Sequence, residues 1–146
     1  MTPTEGDLVV ERFVAAPPAE VYLYLADSDR WARWQGVEAS HDPRPGGLFR
    51  LRMANGSTAR GQFVELDPPH RVVFSWGWVD YPGLPPGSTT VEILLTPVDD
   101  GTLIRLIHRG LPPDEIELHR QGWEFYLPRL GAVATDHDPG PDQLPA

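Results

Sequence analysis

The sequence predicts an α+β domain in which a curved antiparallel sheet of about six to seven strands wraps around one long C-terminal helix, with two short helices after the first strand. Three observations predict it. Segments of strand character follow one another from Phe49 to Arg109, separated by turn residues. One segment near the C-terminus, Ile116 to Leu130, places its apolar residues at helical 3–4 spacing. No other segment is long enough to cover the concave face that a curved sheet must bury. Strands running consecutively between helices argue α+β and not a doubly wound parallel sheet.

The elements follow in chain order. Leu8 to Val14 alternates as a strand, and Ala15-Ala16-Pro17-Pro18 stops it. Proline is tolerated in a first helical turn, so Pro18 to Ala26 reads as a short helix. Asp27 or Ser28 can cap a second one, Asp29 to Trp34. Phe49, Leu51 and Met53 alternate with Arg50, Arg52 and Ala54, the period of a half-exposed strand. Asn55-Gly56 is a hairpin signal of the type I′ kind, which needs positive φ at both positions. Its partner strand runs from Thr58 to Leu66, and Asp67-Pro68-Pro69-His70 ends it. Arg71 to Trp78 is a further strand, with Val72, Phe74, Trp76 and Trp78 on one face. A Pro/Gly-rich loop spans Tyr81 to Ser88. Two more strands, Thr89 to Pro97 and Thr102 to Arg109, flank the turn at Asp99-Asp100-Gly101. Pro112-Pro113-Asp114 opens the long helix. Its inward stripe is Ile116, His119, Trp123, Tyr126, Leu127 and Leu130. Gly122 and Pro128 make it irregular, and Pro128 should bend it by removing the bond to the Glu124 carbonyl. Residues 1–131 therefore read as one domain and residues 132–146 as a disordered acidic, Pro/Gly-rich tail.

Composition narrows the chemistry. The chain has 146 residues, 40% of them hydrophobic, enough for one self-sufficient core. It has no cysteine, which removes thiolate catalysis and thiolate metal sites. All 12 basic residues are arginine, so Schiff-base catalysis and a complete P-loop are absent. The net charge of −9 and the scattered arginines argue against nucleic acid and anionic membranes as partners. Residues 1–12 carry Glu5, Asp7 and Glu11 and no apolar leader, which makes the cytoplasm the expected compartment. No metal-ligand spacing occurs among His41, His108, His119 and His137, and no Gly-x-Ser-x-Gly elbow is present. No cofactor is expected.

Three segments carry a resemblance. Pro17 to Tyr22 with Asp29 to Trp34 is similar to the first two helices of the START-like, or helix-grip, superfamily. Asp42 to Arg50, continued through Gly61 to Trp76, resembles the most specific stretch of one of its bacterial families. That family is named after the activator of the heat-shock protein 90 ATPase. Gly122-Trp123 with Leu127 and Leu130 resembles its closing helix. The likeness spans roughly residues 8 to 131. One departure is local: the family usually follows its second tryptophan with an aromatic residue, and here Trp34 is followed by Gln35-Gly36.

The resemblance implies a cavity between sheet and helix, and no catalytic motif to carry over. The candidate lining is Trp34, Met53, Trp76, Trp78, His119, Trp123, Tyr126 and Leu127. Tryptophan offers a large apolar face and one N–H to orient a polar group; equally, Trp76 and Trp123 can simply fill the core. The first reading is non-catalytic binding of a small hydrophobic or amphipathic molecule. The alternatives are a polyketide-cyclase-like or dehydratase-like enzyme using His119 or Tyr126 in acid–base roles, and a chaperone-linked protein–protein module, which needs an exposed apolar patch. A homodimer through strand edges is open to any of these.

Overall fold

The computed structural model describes residues 7–142. The chain forms β1 (Leu8–Val14), α1 (Pro18–Ala26), α2 (Ser28–Trp31), β2 (Glu38–Ala39), β3 (Leu48–Arg52), β4 (Thr58–Asp67), β5 (Arg71–Trp76), β6 (Thr89–Val98), β7 (Gly101–Arg109) and α3 (Pro113–Ala134). The strands make one seven-stranded antiparallel sheet in the order β1-β7-β6-β5-β4-β3-β2. The first strand thus closes against the last, and sequential hairpins fill the space between. The sheet curves, α1 and α3 lie on its inner side, and α3 packs along β1 and α1. This is the predicted α+β architecture.

The differences from the sequence reading are local. A short strand, β2, pairs Glu38 with Arg52 and Ala39 with Leu51; two residues are too few to show a period. The second helix ends at Trp31, with Asp27 as its cap through Asp27 Oδ2 and the Arg30 N–H at 3.0 Å. The β3–β4 turn is not type I′. Only Gly56 has positive φ, +92°, and Asn55 does not. The Gly56 N–H donates to the Met53 carbonyl at 3.0 Å, and the Met53 N–H to Ser57 at 2.7 Å. That is a three-residue loop in which glycine takes the left-handed position. Asn55 serves it by its side chain, accepting the Ser57 N–H at 2.9 Å. Helix α3 runs on through Pro128 and ends at Ala134, three residues into the segment read as tail. Beyond it, the carbonyls of Pro139, Gly140 and Pro141 bond to Arg129. Residues 143–146 of that segment lie outside the described residues.

The core centres on rings. Trp31, Phe49 and Phe74 meet face to face or edge to face, with Phe49 and Phe74 stacked at 4.3 Å. The partly buried His41 ring stacks on Phe49 at 4.5 Å and meets Trp31 edge-on at 4.9 Å. Desolvation there pushes the His41 pKa down from 6.5 to about 4. Folded His41 is therefore neutral at pH values where the unfolded chain binds a proton.

Its contribution is complete above pH 6.5 and fades as the pH falls toward 4, by up to about 3 kcal/mol for a shift of this size. Urea midpoints measured from pH 7.5 to 4 should be flat above 7 and then fall, and His41→Phe should make the segment between 6.5 and 5 shallower, leaving the share of the other buried histidines, His108 and His119. An unchanged slope in the variant would show that His41 does not set it.

Candidate functional site

Sheet and helix do not close on each other everywhere. Between the β3–β4 turn, the segment after β5 and the middle of α3 lies a cavity of about 930 Å³. Its floor is buried: Met53, Trp76, Trp123, Tyr126, His119, Glu115 and Gln35. Its rim is exposed and includes Asn55, Ser57, Val79, Tyr81 and Leu118. A volume of this size lies within the range of small-molecule pockets.

Each wall follows from local sequence. Trp76 ends β5 at Thr89 of β6. Gly77 then breaks the strand, and Trp78 regains one bridge to Ala59, so the two indoles meet edge-on at 5.3 Å. Trp123, His119 and Tyr126 share one face of α3 by their i, i+4 and i+3 spacing. Gly122 sits beside them and leaves open space, since a Cβ there meets no atom within 4 Å.

The polar groups are ordered by hydrogen bonds that fix both buried histidines. The Trp123 Nε1–H donates to His108 Nδ1 at 3.1 Å. His108 Nε2 lies 2.9 Å from Thr89 Oγ1, whose own proton goes to the Trp76 carbonyl at 2.8 Å. His108 is therefore the Nε2–H tautomer. The Trp78 Nε1–H donates to His119 Nε2 at 3.2 Å, which leaves Nδ1–H to donate to the Glu115 carbonyl at 3.0 Å. His119 is the Nδ1–H tautomer. Burial lowers the pKa of both rings, and in His108 the neighbouring His119 lowers it further. Both are neutral at pH 7.

Glu115, buried in the floor, accepts the hydroxyl of Tyr81 from the rim. Tyr126 donates to Asp142 Oδ1 at 2.8 Å, and Asp142 Oδ2 accepts the Gly36 N–H at 2.6 Å. Burial and the Asp142 carboxylate raise the Tyr126 pKa. Trp76 is the exception to this order. Its ring is 2% exposed, and its Nε1–H has no acceptor.

Of the sequence-predicted lining, Met53, Trp76, Trp78, His119, Trp123 and Tyr126 meet at this cavity. Two residues do not. Trp34 turns toward α1, donating Nε1–H to the Tyr24 carbonyl at 3.0 Å. Leu127, one position round from Tyr126, faces a smaller space of about 280 Å³ against Val9 and Val10 of β1. Sequence reasoning missed Gln35, Tyr81, Glu115 and Asp142. Gln35 alone had a signal, as the polar departure after Trp34; its Oε1 accepts the Trp31 Nε1–H at 3.0 Å. Among the described residues no cluster of three His, Asp or Glu side chains could hold a metal, and no helix is long and apolar enough to cross a membrane.

Comparison with known proteins places this geometry in context. Residues 15–135 match the family model described as Activator of Hsp90 ATPase homolog 1-like protein. The human activator of 90 kDa heat shock protein ATPase homolog 1 is 28% identical over 126 residues, which cover 85% of this chain. The match spans only 35% of the human protein's length. The solution structure of an AHSA1-like protein from Rhizobium etli is 42% identical, covers all of this chain and 94% of its own, and superposes with a TM-score of 0.69. The crystal structure of CalU16 from Micromonospora echinospora is 29% identical over 88% of this chain and 76% of its own, with a TM-score of 0.72.

The hydrogen bonds make a spectroscopic prediction. At pH 7, ¹⁵N imidazole spectra should show His119 as the Nδ1–H tautomer and His108 as the Nε2–H tautomer, with both rings titrating below the ordinary histidine range. A His119 that titrates near 6.5 would mean that its ring is open to water and its bond to Trp78 is not kept.

Proposed function

The chain belongs to the Activator of Hsp90 ATPase homolog 1-like family, and on that premise we propose that it binds a small, flat, amphipathic molecule in the cavity between sheet and α3 without transforming it. One observation carries the reading. Four of the five indole N–H groups have an acceptor within the protein, and the fifth, Trp76, lines the cavity and has none. A buried donor without a partner costs about 1–3 kcal/mol. The N–H is covered by protein atoms, so a ligand carbonyl or ether oxygen would relieve that cost on a small shift of the indole, while its rings lie against Trp76 and Trp123, themselves 5.2 Å apart.

The acid–base reading has less support. His119 Nε2 already accepts a proton donor, so it has no lone pair left for a substrate. Tyr126 is held protonated by its environment and donates to Asp142. A chaperone-linked module would need a broad apolar surface and not a void. The human relative's name speaks for that role, but the match covers about a third of that protein.

The test uses 2-naphthamide, a flat probe with one carbonyl. Wild-type protein should bind it with quenching of tryptophan fluorescence and a rise in melting temperature through linkage. Gly122→Leu places a side chain in the open space and should weaken binding at least tenfold. The fold should survive, because leucine favours helix over glycine by roughly 0.8 kcal/mol. Trp76→Phe keeps a ring and removes the donor, and should cost about 0.5–1.5 kcal/mol of binding. If Gly122→Leu binds like wild type, the probe is not in this cavity. If wild type binds neither 2-naphthamide nor any member of a broad panel of flat apolar molecules, the proposal fails.

A further inference from the structure

Beside the part of the cavity lined by Gln35, Tyr126 and Asp142 lies an arrangement that a purely apolar ligand would not use. Arg129 is a buried cation at 7% exposure. Its guanidinium donates only to neutral carbonyls: Nε to Trp34 at 2.9 Å, and one terminal nitrogen to Pro139, Gly140 and Pro141 at 2.9–3.1 Å. Among the described residues no carboxylate lies within ion-pair distance of it. Nearby, two donors converge on a single carboxylate, the Gly36 N–H and the Tyr126 hydroxyl on Asp142. Gly36 has φ +77°, and a Cβ there would come within 2.6 Å of Leu51 Cδ1, so the turn that aims this N–H admits only glycine. The carboxylate they hold comes from the end of the described chain, 106 residues beyond Gly36. It is tethered by a segment of Asp, Pro and Gly.

We propose that this is an oxyanion subsite of the cavity, filled by the chain's own Asp142, and that the ligand class is an aromatic carboxylic acid whose carboxylate exchanges with Asp142. The inference rests on the cavity reading above and deepens it. The donor pair is fixed by the fold: one member is a backbone N–H in a glycine-only turn, and the other stands on α3, three residues after Trp123. Side chains at that spacing are neighbours, with Cβ atoms about 5–6 Å apart. A ring system lying on Trp123 and Trp76 therefore brings a carboxylate on its edge to the Tyr126 hydroxyl. Arg129 lies close enough to act on the charge of Tyr126, as Asp142 does with opposite sign. It supplies a positive field to whichever carboxylate occupies the donors. Two carboxylates cannot share the place, since like charges in a site of low dielectric repel strongly. Asp142 thus competes with an anionic ligand and leaves a neutral one nearly unaffected.

The competing use of the same contacts is plain anchoring of the chain end. The two are separated by a matched pair of probes, 2-naphthoate and 2-naphthamide, which have the same rings and differ in charge. Binding to full-length wild type, Asp142→Ala and Asp142→Ala/Tyr126→Phe is measured by calorimetry at pH 7.5. Asp142→Ala should tighten 2-naphthoate at least tenfold and change 2-naphthamide less than threefold, and adding Tyr126→Phe should remove most of the gain for naphthoate. Equal gains for both probes would show that the segment only plugs the cavity, and would overturn the subsite. No gain for naphthoate, with naphthamide still bound, would overturn it too and leave the cavity reading standing. Absence of binding by both probes in all three proteins would remove the cavity reading and the subsite together.

Discussion

An indole N–H buried in a dry interior must find an acceptor, and the layout of this protein follows from how its tryptophans meet that demand. Trp31 bonds to Gln35 and closes the turn after α2. Trp34 bonds to the Tyr24 carbonyl and ties that turn to α1. Trp123 bonds to His108 and ties α3 to β7, and Trp78 bonds to His119 and ties the segment after β5 to the start of α3. The aromatic area supplies the adhesion, and the single N–H on each ring supplies the register. Trp76 sits among these rings, in contact with Trp78, Trp123 and Phe74, yet is left without a partner.

The same bonds decide the electrostatics. Accepting an N–H on one ring nitrogen and donating from the other leaves a histidine satisfied only when neutral. His108 and His119 lie 5.3 Å apart, and their neutrality avoids two cations at that separation. Formal charge is instead settled on the other side of the sheet. There Glu92, 2% exposed, is held by Arg71 at 2.5 Å and Arg109 at 2.9 Å, which keep its pKa low against the effect of burial. A buried carboxylate with two arginines is the arrangement that burial of charge calls for. Arg129, with neutral carbonyls alone, stands out against it.

Much of the fold was legible because its signals are short-range. Turn residues and alternation located every strand longer than two residues, and 3–4 spacing found the inward face of α3. The boundaries missed were those that depend on hydrogen bonds, such as the loop at Asn55-Gly56, where the asparagine acts through its side chain and not through its φ. The site was half legible. Aromatic residues at inward positions announced Trp76, Trp123 and Tyr126. Leu127 belongs to the same stripe, but a helix face about 100° wide meets two different neighbours, here the cavity and β1. Glu115 and Asp142 left no trace in the pattern, since a search for apolar period discards charged residues. The contact between Gly36 and Asp142 joins positions that nothing local relates. The family resemblance supplied what periodicity could not, the expectation that the helix leaves space beneath it.

That space opens to solvent between exposed rim residues, so it is not a sealed packing defect. Water can enter it, and ordered water needs polar partners. The lining provides them in Gln35, Asn55, Ser57, Tyr81 and Glu115, set around a floor of Met53, Trp76 and Trp123. Gly122 keeps the volume open from the helix side, although glycine weakens a helix interior by roughly 0.8–1.0 kcal/mol relative to alanine. Glycine at position 122, an unpartnered indole at Trp76 and polar groups around the mouth give the space an apolar floor and a polar edge, the chemistry on which the proposed binding rests.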